Sequence, residues 1–480
     1  MKRTGVVVTV VVAAAVVGWV GATWYTGGQI EAAARKAVAD ANAANWGATG
    51  ELVSYERSLF SATSRYKVTM PRPQAEAITI FIDSQVNHGP LPLDRLARFQ
   101  LKPVSATVES TLARNEGIGA QLKTAEANAT VRARSVIDLD ENVAFDLTTP
   151  ALRMEQDGAT TDVAAGTFTG TTRKADTHVK IDGRIASVRA ATPAPNPLTI
   201  DVRDLTVNVD SRVGRFGMQV GDSAFRMGAF TLNGSTPDTG TALSVKGDTF
   251  GVAYHVAEDD KTLTGHISYN LGKLVLNNTD VGDFDLRLAA RQLDGAATAK
   301  LAMAYQKMVV TNPPAGGPDA MRQAMTVLDA PIREVVAGKP VLALDSLIWT
   351  TPLGQSTLKI EAALAPRVAS AAAGTPGSEP SVERASMDLS VSQPALVDTI
   401  ARFTKTSPGG GPITLAQANE QAKMQLAMMV GGAAKEKLLV VKGDKIETHV
   451  TFDGRVVLIN GQQPPPHLLA GLLGMVPFGQ

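Results

Sequence analysis

The sequence predicts a mainly β protein with flanking helices, an α+β chain in which an N-terminal transmembrane helix precedes an extended, largely antiparallel β-sheet body. Three observations carry that reading. Apolar residues recur with a period of two over most of the chain after residue 51, turn-forming dipeptides separate those runs, and one long uncharged apolar run stands at the N-terminus.

The N-terminal run comes first in the chain. Lys2 and Arg3 precede a stretch from Gly5 to Tyr25 built largely of Val, Ala and Gly, with Trp19, Trp24 and Tyr25 toward its end. About 20 apolar residues in a helix cover the roughly 30 Å of a bilayer core, and basic residues at the start favour a cytoplasmic N-terminus. Residues 1–28 are therefore expected to be a single-pass membrane anchor, with the bulk of the chain outside the cytoplasm. A cleaved signal peptide is the alternative, because Val20-Gly21-Ala22 offers small residues at a suitable position. The run outlasts the usual h-region of about 7–15 residues, and Trp24-Tyr25 suits an interfacial belt, so retention is the favoured reading.

Residues 29–50 follow as a membrane-proximal helix, since Ile30, Ala34, Val38 and Ala41 recur at helical spacing among Ala, Arg, Lys, Glu and Asp. From residue 51 to 480 the pattern is that of a β-rich body. Leu198, Ile200 and Val202 alternate with polar residues, and Leu205, Val207 and Val209 resume after a one-residue shift at Asp204, which predicts a bulge or kink there. Similar alternation marks residues 130–147, 179–188, 242–256, 263–269, 274–276, 284–290 and 297–303. Asp182-Gly183, Asn233-Gly234, Glu258-Asp259-Asp260 and Asp294-Gly295 read as turns between strands. Helical insertions are expected near 319–337, where Met321, Met325, Leu328, Ile332 and Val335 recur every three or four residues, and near 415–438, where Gly431-Gly432 is a candidate break. The Ala, Gly, Ser and Pro-rich stretch 365–380 reads as a loop.

Lys+Arg and Asp+Glu both total 46 in 480 residues, so the formal net charge of +0 provides no field that would recruit nucleic acid. A 44% hydrophobic fraction with 19% charged residues describes a chain with a core to build. The absence of cysteine excludes disulfides, thiol catalysis and Cys-ligated metals, though it assigns no compartment.

Candidate chemistry is sparse. His255 and His266 could face one another across the Asp259-Asp260 turn, but two sheet positions without a carboxylate cluster read better as polar surface than as a metal site. Asp138 and Asp140 would share a strand face, where a solvated surface is the simpler reading than acid–base work. Ser64-Arg65-Tyr66-Lys67 has the Ser-x-x-Lys spacing of penicillin-binding enzymes and Lys405-Thr406-Ser407 echoes a second motif, yet Ser64 lies in an extended stretch and not at a helix start. Gly409–Gly411 lacks the lysine of a phosphate loop. Met424, Met428 and Met429 could form an adaptable apolar surface but are expected in the core. No cofactor or metal is implied, and the chain is expected not to be an enzyme.

Trp24-Tyr25-Thr26-Gly27, Ser54-Tyr55-Glu56-Arg57-Ser58-Leu59-Phe60-Ser61, His88-Gly89-Pro90-Leu91-Pro92-Leu93, Gly338-Lys339-Pro340-Val341 and Ser346-Leu347-Ile348-Trp349 occur in this order. Together they resemble the YdgA-like family (YdgA/YihF) of bacterial envelope proteins. Ser58 departs from the glycine that usually follows Arg57 in that pattern. The resemblance implies an inner-membrane-anchored periplasmic protein of Gram-negative type without an established activity, and it transfers no catalytic residue. Tyr55, Arg57, Phe60, His88, Gly89, Pro90 and Trp349 are the motif positions. His88 to Pro92 reads as a rigid strand-exit turn and Trp349 as a packing anchor at a strand end. The partners expected are the inner membrane, envelope proteins or lipids, and a second copy of the chain. Lipid handling is the alternative function, with the apolar face of a sheet lining a groove.

Overall fold

The computed structural model describes residues 48–465 apart from 59–60, 73–74, 90–91, 125–128, 157, 195–196, 236–239, 312–317, 367–379 and 407–412, together with residues 35, 36, 38, 39 and 42. The chain divides into two compact units, one formed by Met1–Val213 with Gly221–Ala242 and the other by Gly214–Val220 with Leu243–Gln480.

The strands up to residue 235 are β1 (Thr49–Arg57), β2 (Ser61–Arg72), β3 (Ala75–His88), β4 (Ala106–Leu112), β5 (Leu122–Thr124), β6 (Arg132–Ile137), β7 (Val143–Thr149), β8 (Leu152–Gln156), β9 (Ala159–Val163), β10 (Gly166–Arg173), β11 (His178–Thr192), β12 (Leu198–Val213), β13 (Gln219–Met227) and β14 (Phe230–Ser235). In the first unit β1, β2, β3, β4, β6, β7, β10, β11, β12 and β14 pair in that order, antiparallel throughout. The period of two in the sequence is the reason. In β7, Val143, Phe145, Leu147 and Thr149 are buried while Ala144, Asp146 and Thr148 are exposed, so each residue added to the strand alternates faces. The buried side chains form two clusters, one around Tyr66, Ile80, Ile82, Val108 and Phe145, the other around Leu147, Phe168, Ile185 and Val188.

Two cross-strand pairs explain why glycine stands inside these strands. Phe145 of β7 pairs with Gly170 of β10, and Phe168 of β10 pairs with Gly183 of β11. A Cβ at Gly170 would lie 2.5 Å from the Phe145 ring, and one at Gly183 would lie 2.3 Å from the Phe168 ring. Each ring therefore lies over the bare backbone opposite, which fills the gap that a glycine leaves in a sheet. Asp182-Gly183, expected as a turn, is thus mid-strand.

Of the bulge or kink expected at Asp204 the structure shows a local kink: Asp204 adopts φ 51°, while the pairing of β11 with β12 keeps one register from Ile185↔Leu205 to Ser187↔Arg203. Among the residues of the expected membrane-proximal helix, 35, 36, 38, 39 and 42 are helical. Val38 packs against the first cluster, and Asn42 clamps the start of β1. Its Nδ2 donates to Gly50 O at 2.9 Å, and Gly50 N–H donates to its Oδ1 at 2.6 Å.

The second unit is a meander. Strands β15 (Ala242–Gly247), β16 (Thr249–Glu258), β17 (Thr262–Leu276), β18 (Thr279–Asp294), β19 (Val341–Thr351), β20 (Gly354–Pro366), β21 (Pro380–Ser392), β22 (Val440–Lys442), β23 (Lys445–Phe452) and β24 (Val457–Ile459) are joined in part by four helices. These are α1 (Gly295–Thr311), α2 (Pro318–Ala337), α3 (Gln393–Thr406) and α4 (Leu415–Lys435). Strands β16 to β21 and then β23 and β24 pair in order, all antiparallel, with β15 on β17 and β22 on β23.

Helix α1 overturns the strand expected at 297–303. Asp294 is its cap, its Oδ1 accepting from Ala297 N–H at 2.9 Å, and Ala296, Ala297 and Ala299 then favour the helix. Helix α3 was not expected. Ser392 Oγ accepts from Ala395 N–H at 3.4 Å, and Val397 and Ala401 are buried against α4. Helix α2 keeps Pro331 within it, and α4 opens on a capping box between Thr414 and Gln417 and runs through Gly431 and Gly432 without a break. Among the described residues no helix is long and apolar enough to cross a membrane, and the expected anchor with Lys2, Arg3, Trp19, Trp24 and Tyr25 lies outside them.

Candidate functional site

The meander of the second unit brings the apolar positions of six strands onto one face. Directly paired residues of antiparallel strands point to the same side. Val252, Tyr269, Leu286, Leu347, Leu358 and Leu389 form one such row across β16 to β21. Tyr254, Ile267, Leu288, Leu344, Ile360 and Met387 form the next. A third row, Val256, Gly265, Ala290, Leu342, Ala362 and Ala385, carries small residues on either side of Leu342. Bulges between Arg287 and Leu288 and between Leu344 and Leu347 keep the rows in phase.

Among the described residues nothing closes this face over. Tyr254 is 46% exposed, Leu342 44%, Ile360 38% and Leu288 37%, and the remaining large side chains of the first two rows are only half-buried. Helices α1 and α2 pack on each other and against β17, β18 and β20. Val341 and Ala343 are buried while Leu342 between them is exposed, so these helices cover one end of the opposite face and leave the rest of it uncovered. Helix α3 contacts β18, β20 and β21, and with α4 it buries the strand ends near Val391 and Ile446. Strands about 4.8 Å apart make the open face about 24 Å wide, and its three rows span about 14 Å, a footprint of about 340 Å². Patches of that order are often functional in a soluble domain.

The reverse face is polar and self-neutralising. Arg291 pairs with Asp345 and, at 3.5 Å, with Glu361, and Asn270 donates to Asp285 at 3.0 Å. A depression of about 450 Å³ lined by Lys359, Asp388, Lys442, Glu447, His449 and Asn460 lies toward β23. Its charges are paired, His449 Nδ1 with Asp388 Oδ1 at 2.5 Å and Lys442 Nζ with Glu447 at 2.8 Å.

The residues singled out from the sequence separate as follows. His255 and His266 are direct cross-strand partners with ring centroids 6.2 Å apart, and His266 Nδ1 lies 3.9 Å from Asp345. Among the described residues no group of three metal-ligating side chains forms. Asp138 and Asp140 do not share a strand face, because β6 ends at Ile137. Asp138 Oδ1 instead accepts the backbone N–H groups of Asp140 and Asn142 at 2.9 and 2.8 Å, a turn held by its own carboxylate. Ser64 is buried in mid-strand opposite Tyr55 and Ser84, and Lys67, three residues on, points to the other face, so no Ser–Lys pair exists. Burial pushes the phenol of neighbouring Tyr66 well above its ordinary value of 10.0, and the nearby Ser64 hydroxyl offsets this only in part.

The motif positions are architectural where the structure describes them. Tyr55 is half-buried against the first cluster and Arg57 is exposed at the end of β1. His88 ends β3 with its ring buried, and Gly89 turns the chain at φ 116° while its N–H donates to Ser105 O at 3.1 Å. Pro92 is fully buried, and Asp94 in the helical turn after it accepts from Thr107 Oγ1 at 2.8 Å and pairs with Arg134 at 3.4 Å. Phe60 and Pro90 lie outside the described residues. Trp349 stacks on Phe284 with centroids 6.4 Å apart, and its Nε1 donates to Val281 O at 2.7 Å, so it anchors the strand end as expected. Met424, Met428 and Met429 correct the sequence reading. They are 59%, 73% and 74% exposed, because α4 buries Ala418, Ala422 and Leu426 instead.

Fold and site define an antiparallel β protein with an open apolar sheet face and no assembled catalytic constellation among the described residues. The chain belongs to a bacterial protein family of unknown function, DUF945, whose profile matches residues 1–467. Protein YdgA of Escherichia coli (strain K12) is 24% identical over 499 residues, which cover 99% of this chain and 97% of that protein. The uncharacterized protein YihF of the same organism is 20% identical over 472 residues, 95% of this chain and 95% of that protein. No solved structure matches.

Proposed function

We propose that the chain is a non-enzymatic bacterial envelope protein, tethered to the inner membrane by residues 1–28 with its β-rich body in the periplasm, and that the open face of the second unit binds the acyl chains of lipids. The carrying observation is the three-row apolar face, with Tyr254, Leu288, Leu342 and Ile360 as its most exposed side chains. An acyl chain would lie across the strands against these exposed side chains, with Gly265, Ala290, Ala362 and Ala385 leaving room on either side of Leu342. Covering one side of a methylene contributes roughly half of the ~0.8 kcal/mol of full burial. A chain of about 14 methylenes thus gains ~5–6 kcal/mol, a weak and reversible hold of the kind that handling lipid requires. The paired charges of the reverse face suit a solvated surface.

The test is native mass spectrometry of the full chain extracted in mild detergent, with displacement of a fluorescent polyene fatty acid as the second readout. Lipid adducts that disappear in Leu288→Glu/Ile360→Glu are expected. A chain that carries no lipid and gives no fatty-acid signal would remove the lipid reading. The tether is tested separately: an intact N-terminal segment in membrane fractions supports it, and a mature N-terminus at Thr23 ends it.

A further inference from the structure

The outer face of α4 presents apolar side chains to water for no structural reason within the described residues. Its inner face is satisfied, with Ala418, Ala422 and Leu426 packed on Val397 and Ala401 of α3. Met424 and Met428 lie one turn apart on the outer face, Met429 lies beside them, and at Gly431 and Gly432 an added Cβ would meet nothing. Flexible, polarisable methionines on an open helix face make an adaptable docking surface.

We propose that the C-terminal tail of this same chain, Leu468 to Phe478, docks on that methionine face. Three observations select the tail as occupant. First, the chain leaves the second unit beside the correct end of α4: Asn460 Nδ2 donates to the carbonyl of Lys437, two residues past the helix, at 3.0 Å, and Pro464 is buried. Second, the tail has the matching chemistry. No Asp, Glu, Lys or Arg occurs after Arg455, whereas Leu468, Leu469, Leu472, Leu473 and Val476 recur at the three- and four-residue spacing of one helix face. Such a segment gains by leaving water. Third, the lengths agree. From Met424 to Lys435 the helix rises about 16 Å, and eleven residues of tail in helical form cover the same length, with the prolines 464–466 setting a stiff approach.

The experiment measures methionine oxidation by dilute peroxide in the full chain, residue by residue, with Met303, 62% exposed on α1, as internal reference. If nine-tenths of molecules are docked, Met424 and Met428 oxidise about tenfold more slowly than their exposure on α4 implies, and Leu472→Asp/Leu473→Asp restores the fast rate while Met303 is unchanged. Because the chain has no cysteine, Met428→Cys/Leu472→Cys gives a single thiol pair, and a disulfide within one chain at high dilution supports the proposal. Equal oxidation with and without the tail substitutions overturns it. So does a disulfide that forms only between chains, which assigns the face to a second copy, or protection that appears only with phospholipid vesicles, which assigns the tail to the bilayer.

Discussion

Gly183→Ala offers a direct test of the ring-over-glycine packing in the first unit. Two effects compete. Alanine in a strand is intrinsically better than glycine by about 0.5–1 kcal/mol, because it loses less conformational freedom on folding. Against this, the new methyl would lie 2.3 Å from Cδ1 and 2.5 Å from Cε1 of Phe168, whose ring is 4% exposed and held among Leu147 and Ile185. Displacing a buried ring costs about 1–3 kcal/mol, so the steric effect wins and a net loss of ~1–2 kcal/mol is expected. Phe168→Ala alone costs about 3–5 kcal/mol, and in the double variant the methyl introduced at position 183 enters the vacated space, so the two losses fall short of additivity by ~1 kcal/mol or more. Gly265→Ala is the control, a strand glycine whose Cβ would meet nothing within 4 Å, and it is expected to gain ~0.5 kcal/mol. Hydrogen exchange of the β10–β11 and β17 amides reads each unit locally without assuming that both unfold together. Additive losses within ~0.5 kcal/mol, or equal effects at positions 183 and 265, would refute the packing argument.

Three further outcomes are expected. The raised Tyr66 phenol makes the first unit alkali-sensitive: stability is full below the ordinary value of 10.0 and falls by about 1.4 kcal/mol per pH unit above it, and Tyr66→Phe abolishes that slope in denaturant titrations across alkaline pH. The Asp259 carboxyl is held below its ordinary value of 3.8 by the N–H groups of Lys261 and Thr262, so its stabilisation of the β16–β17 turn is present above that value and is lost as pH falls through the lower folded value. Exchange of the Thr262 amide followed into acid shows this, and Asp259→Asn removes the pH dependence. Asn42→Ala frees Gly50 and is expected to cost about 1–2 kcal/mol, read as faster exchange confined to the start of β1; unchanged protection there would deny the clamp.

The period of two made the strands legible, and at Asp204 even a local kink, because a half-buried strand writes its two faces directly into the sequence. Pairing register is not written there. Leu288 and Ile360 lie 72 positions apart, and only the meander and its bulges place them on one face. Residues 297–303 show the ambiguity of short patterns. Ala297, Ala299, Leu301 and Met303 alternate, but the capping carboxylate of Asp294 and the alanine content decide for the helix. The methionines of α4 misled for another reason. Helical spacing identifies a stripe without saying which stripe is inward, and α3, which takes the alanine stripe, was itself hidden behind Gln393-Pro394.

The Asn42 clamp gives the first unit a mechanical polarity. Tension on the N-terminal segment reaches the sheet at Gly50 and runs along β1, whose pairs with β2 extend from Thr49↔Thr69 to Arg57↔Ala62. Loaded along its axis, a ladder shares force among all its rungs, whereas peeling from one end breaks them singly. A tether on the N-terminal segment would load the body through its own first strand, in shear, at the point best able to bear it.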